Sequence, residues 1–269
     1  MLHLTPVANP TIPVELDGVT PDRVAGLSPA EVARLPVFHG NRREELGAFF
    51  AVTGDPSYGE ILLHGGCPWA KGVGAKMSSG RIFVEGDVGM HAGAGMAGGE
   101  LSVRGHAGDW LGAEMRGGRI RVLGSAGHQV GAAYRGSRKG MTGGEILVAG
   151  NAGDEAGLLM RRGIVVVGGR CGEFAGAAMI AGSVVALGGL GPRAGAGMKR
   201  GTIFAATGDP HLPPSFRFSC EYRPAFAGWL AKFLRDLPFE PAAPLDVRTV
   251  RCYRGDLLHG GKGEVLVAG

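Results

Sequence analysis

The chain has 269 residues, and 51 of them are glycine, far above the usual share of about 7%. Because 45% of the residues are apolar, the composition favours a folded protein over a disordered one. The apolar runs are short and broken by glycine, so none reaches the roughly 20 residues that a membrane helix requires. We therefore expect no membrane span.

The charged residues and cysteines exclude several further classes of protein. The chain has 28 Lys and Arg residues against 24 Asp and Glu residues, without the basic run that marks a nucleic-acid partner. The four cysteines are far apart and form no C-x-x-C pair, which argues against a disulfide framework and a zinc ribbon. The first residues, Met1 to Pro6, lack the charged start and apolar stretch of a secretory signal. We therefore expect a cytoplasmic protein.

The first segment of the chain, residues 1–55, contains several prolines and one helix signal. Ser28 is a suitable N-cap, Pro29 suits the first helical position, and Glu31 completes a capping box. The pattern predicts a short helix that ends at about Arg34.

A repeat of 19 residues occupies the second segment, residues 56–208. Two series of methionines have this spacing, and one insertion of seven residues, 134–140, brings them into a single register. The series are Met77, Met96 and Met115, then Met160, Met179 and Met198. Met141 precedes the second series by one more period, and Tyr134 is the expected exception in the methionine column.

Each repeat unit predicts one short strand. A glycine stands three residues after each methionine, and the second and fourth residues after that glycine are apolar, as in Ile120 and Val122. This alternation is typical of a strand with one buried face. The residue between them is expected to face outward, partly onto other protein, at Phe83, Ser102, Arg121, Leu147, Val166, Val185 and Phe204.

Four glycine columns recur in the same register, and we expect them to form corners with positive φ. A unit this small cannot bury its own apolar face, so successive units must stack with their strands in parallel. The predicted fold is an all-β solenoid with 19-residue coils. A left-handed hexapeptide helix is disfavoured because 19 is not a multiple of six, and because His91, His106 and His128 do not share one catalytic position.

The third segment, residues 209–269, no longer follows the repeat. Residues 224–237 predict an amphipathic helix with Phe226, Leu230, Phe233 and Leu237 on one face, which either caps the end of the solenoid or docks on its side. The tail Gly263 to Gly269 echoes Gly144 to Gly150. A last strand is therefore expected to join the solenoid or a partner.

Two basic features are candidates for binding. The insertion carries Arg135, Arg138 and Lys139, and a second set of cations follows the methionine column at Arg116, Arg161, Arg162, Lys199 and Arg200. Either they are a solvated basic edge, or they attract an acidic subunit or a polyanionic coenzyme. The sequence has no metal-ligand spacing, P-loop or nucleophile elbow, so we assign no catalytic or metal-binding residue.

The repeat motifs resemble those of a known family. The unit is seen in Gly118-Arg119-Ile120-Arg121-Val122-Leu123-Gly124 and in Cys171-Gly172-Glu173-Phe174-Ala175-Gly176-Ala177-Ala178-Met179. It resembles the glycine-rich domain at the C-terminus of the glutamate synthase large subunit, and more closely the C subunit of formylmethanofuran dehydrogenase. The flanks, with Leu27 to Glu31, Gly40 to Arg42 and Tyr253 to Glu264, look like the latter family. The resemblance implies a right-handed parallel β-helix with short helical or irregular flanks.

The resemblance also implies a function. The chain would be a scaffold subunit, itself without an active site, in a formyltransferase/hydrolase complex. Such a complex takes the formyl group of formyl-tetrahydromethanopterin through a methanofuran-type coenzyme to formate during formaldehyde oxidation. The implied partners are an amidohydrolase-like subunit, a formyltransferase subunit and a dehydrogenase-like subunit, and zinc is implied in a partner subunit. The family's coenzymes bear glutamate-rich tails, which makes Arg135, Arg138 and Lys139 candidates for binding one.

Three alternatives remain open on the sequence. One is the C subunit of an archaeal formylmethanofuran dehydrogenase, whose molybdenum or tungsten pterin and iron-sulfur clusters lie in other subunits. Another is a glutamate-synthase-like solenoid domain, and the third is an independent enzyme.

Overall fold

A computed structural model describes residues 1–208, 211–235 and 249–268. Their regular secondary structure is mostly strand, and the strands form a large mixed sheet of 13 strands and a second sheet of four. No helix in this described part of the chain has the length and apolar character needed to cross a membrane.

The first 55 residues contain more strand than their sequence indicates. The strands are β1 (Leu2–Pro6), β2 (Val14–Glu15), β3 (Pro36–His39), β4 (Arg42–Glu45) and β5 (Phe50–Gly54), and the helices are α1 (Pro21–Val24) and α2 (Pro29–Ala33). The capping box of α2 is present, since Ser28 and Glu31 accept each other's backbone N–H groups, which confirms that helix. The hairpin of β3 and β4 was not predicted, because β4 consists of charged residues without apolar alternation.

The repeat units stack through parallel strands in register. The strands of this region are β6 (Glu60–Leu63), β7 (Ala70–Lys71), β8 (Arg81–Val84), β9 (Glu100–Val103), β10 (Arg119–Val122), β11 (Thr142–Val148), β12 (Arg162–Val167), β13 (Ser183–Ala186) and β14 (Arg200–Ala205). Ile120 pairs with Leu101 on one side and with Ile146 on the other. From β8 to β14 the pairing step is 19 residues except across the insertion, whereas from β6 to β8 it is 21 residues. A second column of parallel bridges runs from Cys67 through Ala107 and Ala126 to Leu190.

The methionine column lies in the core, as expected. Its members are fully buried: Met77, Met96, Met115, Met141, Met160, Met179 and Met198. Met141 follows Met115 in this column. The prediction that Tyr134 is a member of the column was wrong, because its ring lies outside the column and stacks on Trp110. The insertion is therefore accommodated between Ala133 and Met141 without interrupting the methionine ladder.

The glycine columns have two different physical causes. Those that contain Gly118 (φ 84°) and Gly112 (φ 61°) adopt positive φ, as expected of corners. The columns that contain Gly105 and Gly108 do not, and there the adjacent unit leaves no room for a side chain. A Cβ on Gly108 would lie 2.8 Å from the carbonyl carbon of Gly89. Corner conformation explains only half of the glycine pattern, and close stacking of backbones explains the rest.

The C-terminal residues extend the large sheet and cover part of it. They form β15 (Arg217–Tyr222), α3 (Ala227–Arg235), β16 (Val250–Gly255) and β17 (Lys262–Ala268). β17 pairs in parallel with β14, so the predicted last strand joins the sheet of this chain. β16 and β15 follow in antiparallel order.

Helix α3 docks on the side of the stack. Leu230 is buried in a cluster with Leu147, Val166, Val185 and Phe204 of the outward-facing column, and Phe226 and Phe233 pack against this cluster. This settles the two alternatives for the amphipathic helix in favour of side docking. Its predicted residue Leu237 and the segment boundary at 209 lie outside the described residues.

Candidate interaction surface

The insertion at residues 134–140 leaves the stack as an anchored loop. The backbone N–H of Ala133 donates to the Leu158 carbonyl at 3.1 Å, and the N–H of Gly140 donates to the Leu159 carbonyl at 2.9 Å. Both ends of the loop are thus bonded to the next unit, so the residues between them project from a fixed base.

Tyr134, the first residue of the loop, packs on side chains from earlier units. Its ring stacks on Trp110 with 4.9 Å between centroids, and its hydroxyl is hydrogen-bonded to Nδ1 of His91 at 2.8 Å. Its backbone N–H donates to the Glu114 carboxylate at 3.2 Å. The loop therefore begins on a rigid aromatic support.

His91 and Trp110 occupy the same corner of successive units, where the backbone is left-handed. Both have φ of 63°, a conformation that is uncommon outside glycine. The same position in later units is also left-handed at Gln129, Glu155, Phe174 and Arg193. We missed this corner column in the sequence because its side chains share no chemical type, although their common register was visible.

A cavity of about 300 Å³ opens beside Tyr134. Two ion pairs line its wall, Lys71 with Glu15 at 2.9 Å and Lys76 with Asp17 at 3.9 Å. Because the lysine charges are matched by these carboxylates, the wall has no strong net charge.

The two hydrogen-bonded groups at the cavity are uncharged at neutral pH. Burial, with a contribution from the Lys71 ammonium, lowers the pKa of His91. Burial and the carboxylates of Asp17 and Glu114 raise the pKa of Tyr134 to about 12. A neutral imidazole and a protonated phenol can keep their hydrogen bond, so this pair is suited to holding the loop in place.

The three cations predicted as binding residues lie together on the loop. Arg135, Arg138 and Lys139 are exposed, and none of them forms an ion pair with a carboxylate in residues 1–208, 211–235 or 249–268. We call these residues the cationic loop. Uncompensated positive charge on a projecting loop attracts anions, and salt screens that attraction.

The second basic feature is discontinuous. Arg116, Arg161, Arg162, Lys199 and Arg200 are exposed. Thr142 and Ile180 occupy the equivalent positions in the intervening units, and Arg200 lies beside Lys262 of the last strand. The expected continuous stripe is therefore broken into separate basic groups, with uncharged residues at the same positions in the units between them.

His106 and His128 support the backbone at the corners of the stack. Nδ1 of His106 accepts the N–H of Ser125 at 2.9 Å, and Nδ1 of His128 accepts the N–H of Asp154 at 3.0 Å. Other short polar side chains do the same for the next unit, namely Asp87, Asp109, Ser125, Asn151 and Asp154. These histidines satisfy backbone donors that would otherwise lack a protein partner.

Potential metal ligands do not cluster in the part of the chain that the structure describes. No group of three His, Cys, Asp or Glu side chains there could hold a metal ion. Burial raises the pKa of Cys67 to about 11 and that of Cys171 to about 12, so both are thiols at neutral pH.

The fold and this surface define a β-rich repeat protein of stacked 19-residue units from which a cationic loop projects. No protein-family model matches the chain. Over 92 residues the chain is 41% identical to the C subunit of the tungsten-containing formylmethanofuran dehydrogenase 2 of Methanothermobacter wolfeii. These aligned residues are 33% of this chain and 34% of that relative. Over 84 residues the chain is 40% identical to the C subunit of the molybdenum-containing formylmethanofuran dehydrogenase 1 of Methanosarcina barkeri, or 30% of this chain and 28% of the relative. The chain thus spans about a third of the length of the curated relatives it matches.

A solved structure matches the whole chain. It is a chain in the crystal structure of the formyltransferase/hydrolase complex FhcABCD from Methylorubrum extorquens in complex with methylofuran, with a TM-score of 0.92, 37% sequence identity and 99% coverage of both chains. The protein belongs to the family of the formylmethanofuran dehydrogenase C subunit. This confirms the resemblance found in its repeat and flanking motifs.

Proposed function

We propose that this chain is the scaffold subunit of a cytoplasmic formyltransferase/hydrolase complex and has no active site of its own. The observation that supports this most is the similarity over 99% of both chains to a subunit of such a complex. The complex would take the formyl group of formyl-tetrahydromethanopterin through a methanofuran-type coenzyme to formate. The proposed partners are an amidohydrolase-like subunit, a formyltransferase subunit and a dehydrogenase-like subunit, with zinc in one of these partners.

The stacked units suit a scaffold. We infer that they form a right-handed parallel β-helix over residues 56–208, with a helix-containing segment before it and a helix and last strand after it. The in-register pairing of each strand with its neighbours and the parallel column of bridges support this inference. Such an elongated stack presents long faces on which several subunits can assemble.

The cationic loop is the proposed contact with the coenzyme's anionic tail or with an acidic partner surface. Its residues fit an anionic group because Arg135, Arg138 and Lys139 are exposed and their loop is anchored at both ends. The coenzyme would carry the formyl group, and this chain would contribute only charge and position.

A second candidate is the C subunit of a molybdenum or tungsten formylmethanofuran dehydrogenase. The identity of 41% over 92 residues to the tungsten-containing relative favours it locally. The two candidates differ in the metals that their partner subunits would contain.

Affinity purification of the tagged full-length chain from its source cells tests both candidates. We expect heavier partner subunits to co-purify, with zinc and without molybdenum, tungsten or iron, by native mass spectrometry and elemental analysis. Molybdenum or tungsten with iron would support the dehydrogenase instead. Purification of the chain alone, with formyl-hydrolysing activity, would contradict the scaffold proposal.

A further inference from the structure

Two cysteines face each other across neighbouring strands at one edge of the large sheet. Cys220 of the edge strand β15 is paired with Cys252 of β16 in antiparallel register. Residues that face each other in such a pair have side chains on the same side and Cα atoms about 4.5 to 5.5 Å apart. This spacing falls within the range of about 4.4 to 6.8 Å that a disulfide requires.

The two thiols have unequal access to solvent. Cys220 is exposed, and Cys252 is buried in the cluster that also holds Leu230 of α3. Burial raises the pKa of Cys252, and the Arg254 side chain opposes this effect through its charge and a hydrogen bond. An exposed thiol is the one that a dissolved reagent reaches first, and a buried neighbour is placed to react with it afterwards.

We propose that Cys220 and Cys252 form a thiol-disulfide modification site whose substrate is a low-molecular-weight disulfide such as glutathione disulfide. The Cys220 thiolate attacks one sulfur of the reagent, whose S–S bond breaks, and the first thiol leaves and takes up a proton. Cys252 then loses its proton to solvent and attacks Sγ of Cys220, which expels the second thiol. Two protein thiols are oxidised by two electrons in total, and one reagent disulfide is reduced to two thiols.

The new bond would close a loop that contains α3. The chain between Cys220 and Cys252 carries the helix that packs on the outward-facing column. Oxidation would therefore tie the edge strand β15 to β16 and hold this part of the chain on the sheet, which raises stability by restricting the unfolded chain.

Treatment of the reduced full-length chain with glutathione disulfide tests the proposal. We expect intact mass spectrometry to show loss of two hydrogen atoms without bound glutathione, and non-reducing peptide mapping to show a Cys220–Cys252 link. Cys67 and Cys171 should stay reduced, since both are buried. A stable glutathione adduct on wild-type Cys220, or a disulfide between two chains, would overturn the proposal.

Single variants distinguish the roles of the two thiols. Cys252→Ser should retain glutathione on Cys220 because no second thiol can expel it, and Cys220→Ser should react at least about ten-fold more slowly than wild type because Cys252 is buried. Equal reaction of Cys220→Ser and wild type would contradict the proposed order of attack.

The matched control is the double variant Glu221→Cys and Cys220→Ser. It keeps an exposed thiol on β15 but moves it by one residue within the regularly paired part of the strand, where Glu221 is paired with Arg251 and neighbouring residues point to opposite faces. This variant should form a glutathione adduct without an internal disulfide. Circular dichroism of all variants verifies that the reduced proteins are folded.

Discussion

Single residues at the corners of the stack hold unusual backbone conformations. His91 and Trp110 are left-handed with φ of 63°, and their side chains stack with centroids 6.2 Å apart. Phe174 and Arg193 repeat this arrangement further along, with the guanidinium 4.2 Å from the ring centroid. Cation-π contacts of this kind contribute about 0.5 to 1 kcal/mol at exposed sites. Side-chain stacking between units thus offsets part of the cost of the left-handed corner.

Replacement of His91 is expected to change how stability depends on pH. Because burial lowers the pKa of His91 in the folded state, the unfolded chain binds the proton more readily. The neutral ring contributes its full stability above the unfolded pKa of about 6.5, and this contribution is lost as the pH falls through that value. From about pH 7.5 to about pH 5.5, the melting temperature of the wild type should fall more steeply than that of His91→Gln.

Differential scanning fluorimetry across this range measures the difference. Glutamine is tolerated at this corner, since Gln129 adopts φ of 64° at the same position. Tyr134→Phe is the control, because it removes the hydroxyl that bonds to His91 but keeps the imidazole of His91, which is the group that titrates. Its melting temperature should therefore still depend on pH. Parallel curves for wild type and His91→Gln would contradict the expected effect.

At the scale of secondary structure, α3 determines which residues of the outward-facing column are buried. The outward-facing residues Leu147 and Phe204 are buried beneath it, while Ser102 and Arg121, at equivalent positions in earlier units, are partly exposed. Arg121 forms an ion pair with Glu100 at 2.9 Å. The same column is therefore apolar under the helix and polar in the units of Ser102 and Arg121, while Phe83 in the unit before them is a partly exposed apolar residue.

Truncation of Leu230 is expected to loosen α3. Leu230 is 2% exposed, and replacing a buried leucine by alanine costs about 2 to 5 kcal/mol. Leu230→Ala should lower the free energy of unfolding in urea by about that amount and speed amide exchange in α3 and in the strands beneath it. The exposed Lys232 provides the control, since Lys232→Ala should change stability by less than about 0.5 kcal/mol. Equal effects of the two substitutions would show that α3 does not depend on this contact.

At the scale of the whole molecule, the insertion adds a projecting charge while the stack continues past it, with a register shift between β11 and β12 at residues 142–145. β10 and β11 remain in register on either side of it, and the methionine column continues from Met115 to Met141. The exposed residues Arg135, Arg138 and Lys139 can therefore change at little cost in stability. This is compatible with the proposed role of the loop in recognition of other molecules.

Charge reversal in the cationic loop is expected to weaken binding of polyanions. The triple variant Arg135→Glu, Arg138→Glu and Lys139→Glu should bind labelled poly-L-glutamate about ten-fold more weakly than wild type at low salt. The difference should shrink as salt rises from about 0.05 to about 0.3 M. Fluorescence anisotropy provides the measurement.

The control for this prediction has the same change in net charge at another place. It replaces Arg161, Arg162 and Lys199 by glutamate and should retain most of the affinity. If both triple variants lose affinity equally, net charge alone explains binding, and the loop is not the specific site.

Much of the architecture follows from the sequence because the repeat is local. The period of 19, the alternating strand residues, the buried methionine column and the Ser28 to Glu31 cap are all determined by residues close together in the chain. The repeat and flanking motifs were also sufficient to indicate the family. Arg135, Arg138 and Lys139 were identified as an exposed basic insertion by their charge and their departure from the period.

Only the tertiary structure decided the contacts between distant segments. It brings Tyr134 onto Trp110 and His91, lays α3 over the outward-facing column, and pairs Cys220 with Cys252. No periodic pattern links these residues, because each contact joins parts of the chain with unrelated sequences. Repetition can be read from spacing alone, whereas side docking and strand order at the C-terminal end depend on which apolar surfaces remain to be buried once the stack has formed.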